Sequence, residues 1–259
     1  MRGTVPAILP SPETVDPGAL ARSFAAGEID LICVLGPTAS GKTRYAVSLA
    51  RQLGSAEIIS ADSRQVYRGM DIGTGKDLAE YGEVPYHLID ILPAGGHYNV
   101  YSFCEDFARA YSDIRSRGAI PILCGGTGLY INAVTTGYDF RTSKPLSSPG
   151  ASHALRTYFI GTLVSREERN ARIDARLEAR LKEGLVEEVR GLLDSGVPVA
   201  TLKAYGLEYK YVTQYVLGET GYDEMFTLLS TAIHQFAKRQ MTWFRGMERA
   251  GTVIHWVEV

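Results

Sequence analysis

Two patterns of apolar residues alternate along the chain. Short apolar runs, which are typical of strands buried on both faces of a sheet, lie at residues 30–35, 57–60, 86–91, 120–124, 158–163 and 253–257. Between them, apolar residues recur every three or four positions, as in amphipathic helices. The clearest helical segments cover residues 42–53, 101–117 and 222–244. Alternating strands and helices predict an α/β fold: a parallel sheet covered by helices on both faces, with a helical C-terminal part.

Two segments interrupt this pattern and suggest how the chain is organised. Residues 1–28 contain four prolines and no strong period, so we expect a loose leader with a short helix at its end. Residues 139–157 are polar and rich in serine and proline, which predicts a flexible connector. The core would then consist of a first part, 29–138, and a second part, 158–259.

Composition narrows the class of protein. The 259 residues are 45% hydrophobic and 22% charged, which is ordinary for a soluble globular protein. Cys33, Cys104 and Cys124 lack the spacing of a metal site, and no apolar stretch is long enough to span a membrane. We therefore expect reduced thiols, a cytoplasmic location and no membrane partner. The net charge of −2 argues against nonspecific coating of nucleic acid but leaves room for a local basic groove.

Residues 36–43, GPTASGKT, fit the P-loop pattern GxxxxGK[ST]. They follow a predicted strand and open a predicted helix, as that motif requires, which disfavours a chance glycine-rich turn. The backbone N–H groups of such a loop converge on a phosphate at the positive end of the helix. Lys42 would add a positive charge, and the Thr43 hydroxyl is placed to ligate Mg²⁺. The motif predicts binding of a di- or triphosphate, most often by a kinase or another nucleotide-using enzyme.

Asp62 follows the second predicted strand, at the sheet edge where ligands bind in open α/β proteins. Around it, several segments resemble the tRNA dimethylallyltransferase family, in order and at similar spacing. They are GPTASGKT, ADSRQVYRGMDIGTGK, VPYHLIDI, PILCGGTGLYINA, RIDARLEARLKEGLVEEV and AKRQMTWFR. Together they cover most of residues 31–137 and 158–257, so the resemblance extends over most of the chain. It implies a P-loop NTPase-like fold.

The resemblance also implies a site for dimethylallyl diphosphate. The diphosphate-binding positions of the family fall on Gly36, Thr38, Ala39, Ser40, Gly41, Lys42, Thr43 and Arg176. The family's general base, which takes a proton from the adenine N6 amine, falls on Asp62. An exocyclic amine is a poor nucleophile, so a carboxylate that removes its proton as the bond forms is chemically sensible. The alternative is that Asp62 only ligates Mg²⁺ or caps a turn.

The basic residues of two helices complete the predicted site. By the resemblance, Lys42 and Arg172 act with Asp62 in catalysis, the arginine on the leaving diphosphate; a solvated helix face is the alternative for Arg172 and Arg176. Residues expected to contact the acceptor are Asp62, Ser63, Arg64, Gln65, Thr127, Lys238, Arg239 and Arg245. The last three would contact phosphates, whereas Trp243 on the same helix could instead belong to the core.

Two departures from the family pattern bear on the acceptor. Family members carry a helical insertion of several dozen residues, with an arginine-rich block that grips the anticodon stem, where this chain has residues 139–157. Either tRNA is modified through a reduced interface, or the acceptor is a smaller adenine compound. Residues 204–209 also differ from the family pattern, which bears on local acceptor contacts but not on the diphosphate site.

The leading hypothesis is therefore transfer of a dimethylallyl group from dimethylallyl diphosphate to the N6 amine of the adenosine beside the anticodon of tRNA, with Mg²⁺ as cofactor and the protein acting as a monomer. The first alternative is the same transfer onto free AMP, ADP or ATP. If the protein were a small-molecule kinase, the segment from Asp62 to Gln65 would have no role as an amine-activating site. A non-catalytic RNA-binding module would leave Lys42, Thr43 and Asp62 unexplained.

Overall fold

The computed structural model describes residues 10–136, 138–139, 144–145 and 155–259. In chain order its strands are β1 (Leu31–Leu35), β2 (Ala56–Ser60), β3 (Tyr67–Arg68), β4 (Tyr86–His87), β5 (Leu92–Pro93), β6 (Ile120–Gly125), β7 (Tyr138–Asp139), β8 (Lys144–Pro145), β9 (Thr157–Leu163) and β10 (Ile254–Glu258). Its helices are α1 (Pro17–Ala25), α2 (Lys42–Leu53), α3 (Val100–Ser116), α4 (Gly128–Thr135), α5 (Arg166–Glu183), α6 (Leu185–Asp194), α7 (Val199–Ala204), α8 (Leu207–Val216) and α9 (Tyr222–Arg249). A short 3₁₀ turn covers Leu78–Glu80.

The described strands form one parallel sheet of six in the order β10-β9-β1-β6-β2-β4, and two small ribbons pair β3 with β5 and β7 with β8. In the large sheet β1 lies between β9 and β6, and Leu35 at its end pairs with both Gly161 and Gly125. Because the strands are parallel, their carboxyl ends lie along one edge. The predicted fold class is confirmed.

Helices cover both faces of this sheet, as the strand pattern predicted. One face packs against α3, α4 and α9, where Phe103, Ile131 and Phe244 are fully buried. The opposite face packs against α1 and α2, where Val47 is buried. A third apolar cluster joins α5 to α8 with α9 and forms the helical C-terminal part.

The strand predicted over residues 86–91 is wrong in its extent. Only Tyr86 and His87 pair with β2. Leu88 and Asp90 have φ angles of 63° and 56°, in the left-handed region that breaks a strand. The Asp90 N–H instead donates to the Gln65 carbonyl, which fixes this segment against the loop after β2.

The expectation of a loose leader does not hold for the part of it that the structure describes, residues 10–28. The short helix expected there is α1, capped by Asp16 through the Gly18 N–H. Its Leu20 and Phe24 are buried against the sheet and α2, because they fall four residues apart on one helix face. Residues 1–9 lie outside the described residues, as do 140–143 and 146–154 of the expected connector. Across the described ranges, no helix is both long and apolar enough to cross a bilayer.

If α1 is part of the folded core, Leu20→Ala should lower the free energy of unfolding by about 2–3 kcal/mol, because it leaves a cavity in a buried cluster. Urea unfolding followed by circular dichroism would measure this. Leu217→Ala, at a leucine that is 46% exposed, is the matched control and should change stability by less than about 0.5 kcal/mol. Equal effects of the two substitutions would show that α1 does not contribute to the core.

Candidate active site

Three loops meet at the carboxyl edge of the sheet, because β1, β6 and β2 are parallel neighbours. β1 leads into residues 36–41, β2 into residues 61–65, and β6 into residues 126–127. With side chains from α5, α8 and α9, these loops line a cavity of about 570 Å³. Its position is the one where ligands bind in open α/β sheets.

The loop 36–43 wraps over the N-terminal end of α2. Ala39 and Gly41 have φ angles of 59° and 77°, a backbone pattern that makes neighbouring N–H groups converge on an anion. Ser40 is buried, and its hydroxyl lies 2.6 Å from that of Thr162 on β9. A Cβ on Gly36 would collide with the same threonine. Ser40 and Gly36 therefore anchor the loop on the sheet, while Thr38 faces the cavity.

Lys42 and Thr43 begin α2 and line the cavity. The Lys42 ammonium donates to the Pro37 carbonyl at 3.3 Å, and no ion pair to it is found within the described residues. Burial lowers the pKa of Lys42, and nearby Arg176 adds to this, while Cys124 and Asp62 act in the opposite direction. A bound anion would supply the counter-charge that this lysine lacks.

Asp62 lies at the cavity wall, directly past β2. Its Oδ1 accepts a hydrogen bond from the Arg64 N–H at 2.9 Å, while no partner for Oδ2 is found in the part of the chain that is described. The Ser63 N–H donates to the Thr127 hydroxyl at 3.2 Å, which joins this loop to the one after β6. One carboxylate oxygen thus fixes the turn and the other is left to act on a ligand.

The Gln65 side chain lines the same cavity but is held at both ends. Its Oε1 accepts from the Ser60 hydroxyl at 3.0 Å, and its Nε2 donates to the Gly75 carbonyl at 3.1 Å. Gln65 is buried. Gln65 therefore positions residues 73–75 at the cavity wall. Because both polar atoms of its side chain are already hydrogen-bonded, it has little capacity to bond to an acceptor.

An arginine stripe runs along α5 at helical spacing and reaches the cavity at one end only; it consists of Arg169, Arg172, Arg176 and Arg180. Arg176 lines the cavity and pairs with Asp77 at 2.7 Å. Arg172 does not line the cavity: its guanidinium donates to Glu168 and to the Val259 carbonyl, and it lies beside Gly41. Arg180, which was not among the predicted site residues, lines the cavity and is buried.

Few neighbouring groups compensate the positive charge of Arg180. Burial, and then the neighbouring Arg176, lower the pKa of Arg180 to about 10. Its Nη2 has no hydrogen-bond partner among the residues described, and Asp77 lies 3.6 Å away. Arg180 and Arg176 therefore present positive charge at the cavity wall.

Helix α9 supplies another wall, and it contributes a residue that sequence reasoning missed. The buried Gln240 accepts from the Thr38 N–H at 2.8 Å and donates to the Gly126 carbonyl at 2.9 Å. It thus links the loop after β1 to the loop after β6. The sequence does contain a signal for Gln240: this polar residue lies on the apolar face of an amphipathic helix, three residues after Ala237 and four before Phe244.

Other residues of α9 divide into two groups. Phe236, Arg239 and Trp243 line the cavity. Lys238 is exposed and Arg245 is half-buried, and neither lines the cavity. The structure therefore brings Arg239 to the site and leaves the other two predicted phosphate contacts on the surface around it.

Glu208, at the start of α8, is a second cavity carboxylate that the sequence did not single out. It belongs to residues 204–209, where the chain departs from the family pattern. Burial raises the pKa of Glu208; a hydrogen bond from its own N–H, with Arg180 and Arg176, opposes that shift, and Asp62 adds to it. The cavity thus holds two carboxylates facing a cluster of cations.

Comparison with known proteins shows to which family the chain belongs. The model described as IPP transferase matches residues 65–156 and 140–247, and the model described as isopentenyl transferase matches residues 29–83. The tRNA dimethylallyltransferase 1 of Porphyromonas gingivalis is 50% identical to the chain, over 88% of the chain and 93% of that protein. The chain belongs to the IPP transferase family of tRNA dimethylallyltransferases. The predicted family is confirmed.

Other members of the IPP transferase family agree in sequence and in structure. The tRNA dimethylallyltransferase 2 of Bacteroides fragilis is 46% identical, over 89% of this chain and 93% of that protein. The solved tRNA isopentenylpyrophosphate transferase from Bacillus halodurans superposes with a TM-score of 0.77 at 30% identity, covering 88% of this chain and 89% of that one. A Staphylococcus epidermidis tRNA delta(2)-isopentenylpyrophosphate transferase gives the same TM-score and identity, over 88% and 92% of the two chains.

The chain is shorter than its family relatives inside the region of the match. The alignment with the P. gingivalis protein extends over 283 positions, more than the 259 residues of this chain, so that protein has residues within the match that this chain lacks. The IPP transferase model also matches in two pieces that overlap at residues 140–156. This is the segment where the family's insertion is expected to be absent.

The raised pKa of Glu208 gives a prediction for stability. The folded protein holds this proton more tightly than the unfolded chain, so ionisation of Glu208 destabilises the fold as pH rises above the ordinary value of 4.5. Glu208→Gln should therefore be more stable than wild type at pH 7, and the difference should disappear below pH 4.5. Urea unfolding at both pH values would measure it.

Glu178→Gln, at an exposed position of α5, controls for the change in net charge and should not reproduce the effect. If Glu208→Gln were no more stable than wild type at pH 7, the two arginines would outweigh the burial of this carboxylate.

Proposed function

We propose that this chain transfers the dimethylallyl group of dimethylallyl diphosphate to the N6 amine of the adenosine next to the anticodon in tRNA. One observation supports this most: Asp62, with a free carboxylate oxygen, faces the same cavity as a phosphate-binding loop and a pair of arginines. A nucleophile and a leaving group can thus be held together. The relatives matched over most of the chain are named tRNA dimethylallyltransferases.

The reaction breaks the bond between the allylic carbon and the diphosphate oxygen. Negative charge then grows on the diphosphate, where the loop N–H groups, Lys42 and Arg176 stabilise it. The N6 nitrogen attacks the allylic carbon, and its proton passes to Asp62 as the new carbon–nitrogen bond forms. The products are N6-dimethylallyl adenosine and diphosphate, with the proton on the carboxylate.

Arginine roles follow from where the side chains lie. Arg176 and Arg180 reach the cavity, so we assign them to the leaving diphosphate. Arg172 contacts Glu168 and Val259 beside Gly41. We therefore assign Arg172 to supporting the loop at Gly41 rather than to contacting the diphosphate.

The residues present fit a magnesium ion held mainly by substrate. No group of three or more His, Cys, Asp or Glu within the described ranges could hold a metal ion on its own. Mg²⁺ is usually bound by one or two protein oxygens together with phosphates and water. The Thr43 hydroxyl, at the start of α2 and on the cavity wall, is suited to be that ligand. When bound, the ion would supply further charge to stabilise the departing diphosphate.

Two observations bear on the acceptor. The chain lacks residues that its relatives have within the matched region, which favours a small acceptor such as AMP or ATP. Against this, exposed Trp243 and Phe236 flank Arg239 at the cavity, which is the mixture of aromatic and cationic side chains typical of RNA contacts. We favour tRNA, bound through a reduced interface by a monomer acting in the cytoplasm.

Labelled dimethylallyl diphosphate tests this proposal directly. Purified protein with Mg²⁺ would be offered an unmodified anticodon stem-loop, AMP and ATP in separate reactions. Label should appear on the stem-loop. Label on AMP or ATP alone would establish the smaller acceptor instead, and release of phosphate from ATP without any label would indicate a kinase.

Two variants separate the base role of Asp62 from its role in the turn. Asp62→Asn keeps an oxygen that can accept from the Arg64 N–H but cannot take the proton. Both Asp62→Asn and Asp62→Ala should lower the single-turnover transfer rate by about 100-fold or more, while the affinity for inorganic pyrophosphate stays within about threefold of wild type. If Asp62→Asn kept near-normal turnover while Asp62→Ala did not, Asp62 would only cap the turn.

A further inference from the structure

Glu188 of α6 accepts hydrogen bonds from three successive backbone N–H groups. Its Oε2 accepts from the Asp71 and Ile72 N–H groups, both at 2.7 Å, and its Oε1 accepts from the Gly73 N–H at 3.0 Å. Successive N–H groups that point the same way form a concave site for an anion. Here the anion is a side chain of the protein, so the carboxylate fixes the path of residues 71–73.

A buried tyrosine completes this arrangement from α8. The Tyr209 hydroxyl donates to Glu188 Oε1 at 2.7 Å, and its ring packs on Gly73, where a Cβ would collide with it. Burial, and then Glu188, raise the pKa of Tyr209, so the hydroxyl keeps its proton and remains a donor. Because a side chain at Gly73 would displace the ring, residues 71–73 are held between a carboxylate and an aromatic side chain.

The carbonyl groups of the same segment bind the cavity arginines. The Gly73 carbonyl accepts from Arg180 at 3.4 Å, and the Gly75 carbonyl accepts from Arg176 at 3.4 Å. Gly73 and Gly75 line the cavity, whereas Glu188 does not. The segment therefore connects a carboxylate outside the cavity to two cations that line it.

Arg180 depends on this segment more than Arg176 does. Arg176 forms an ion pair with Asp77 at 2.7 Å, but Asp77 lies 3.6 Å from Arg180. Among the residues that the structure describes, Nη2 of Arg180 has no hydrogen-bond partner, and Nη1 donates to the Gly73 carbonyl. That carbonyl therefore sets the direction of the guanidinium, and Nη2 is left to bind an anion.

We propose that Glu188 is a positioning residue for the transfer: it holds Gly73, and Gly73 directs Arg180 to the leaving diphosphate. The carboxylate does not touch the substrate, and its effect on the reaction passes through one carbonyl group. A role in folding alone would leave diphosphate binding by the folded protein unchanged. The inference rests on the proposed function, in which Arg180 stabilises the departing diphosphate.

Glu188→Gln tests the inference, since the amide keeps the size of the side chain but brings an NH₂ group against backbone N–H groups. The affinity for inorganic pyrophosphate should fall by about tenfold, the loss expected when a hydrogen bond to a charged group is removed. Calorimetric titration of protein shown to be folded by circular dichroism would measure it. Glu187→Gln, at the exposed neighbouring position of α6, makes the same change in charge and should bind as wild type does.

A double-mutant cycle separates positioning from a general loss of structure. Arg180→Gln alone should weaken pyrophosphate binding by about tenfold or more, because it removes a charge-assisted contact. In the Arg180→Gln background, Glu188→Gln should weaken binding by less than about twofold further, since the arginine through which it acts is absent.

Transfer kinetics give a second measurement. In single-turnover reactions, Glu188→Gln should raise the concentration of dimethylallyl diphosphate that gives half the maximal rate by about tenfold. The concentration of anticodon stem-loop that gives half the maximal rate should stay within about threefold of wild type, because Glu188 acts on the diphosphate side of the reaction.

Tyr209→Phe is a milder change that decides the question if Glu188→Gln does not fold. It removes one hydrogen bond to Glu188 and keeps the ring on Gly73. Pyrophosphate binding should weaken by about threefold in the wild-type background and stay unchanged in the Arg180→Gln background.

The inference would be overturned by a folded Glu188→Gln variant that binds pyrophosphate as tightly as wild type, or by losses that are as large without Arg180 as with it. The binding measurements need no chemistry. Coupling of Glu188 to Arg180 without any dimethylallyl transfer would leave the positioning of Arg180 in place and refute the proposed function, whereas transfer without that coupling would refute the positioning alone.

Discussion

The order β1-β6-β2 in an all-parallel sheet is the constraint on which the site depends. It places the ends of three strands side by side, and backbone hydrogen bonds extend this pairing into the loops. The Ala61 N–H donates to the Cys124 carbonyl at 2.7 Å, and the Thr127 N–H donates to the Ala61 carbonyl at 3.3 Å. Gln240 then links the remaining loop by its bonds to Thr38 and Gly126. The distance between Asp62 and the phosphate-binding loop is therefore fixed by the fold.

Charge in the cavity is arranged for a ligand rather than for stability. Lys42 and Arg180 both have pKa values lowered by burial, and Glu208 has a pKa raised by it. Each of these shifts means that the charged form is disfavoured in the folded protein without a ligand. An anion beside the cations would reverse the first two shifts. The net charge of −2 gave no indication of this local excess of positive charge.

Features that depend on neighbouring residues in the sequence were predictable, and those that depend on how elements pack were not. Periodicity and the GxxxxGK[ST] pattern located β1, α2 and the phosphate-binding loop, because strand, turn and helix signals are local there. The arginines of α5 recur at helical spacing in the sequence, but the packing of that helix decides that Arg180 enters the cavity and Arg172 does not. The α1 helix was expected, but its packing was not: the burial of Leu20 and Phe24 depends on contacts with the sheet and α2, which lie elsewhere in the sequence.

Helix α9 contributes both to the core and to the cavity wall. Ala237, Phe244 and Met247 lie on its buried face, while Phe236, Arg239 and Trp243 lie on the adjacent face toward the cavity. Because a single helix of 28 residues carries Gln240 together with Arg239 and Trp243, a shift of α9 would also move the side chain that holds Thr38.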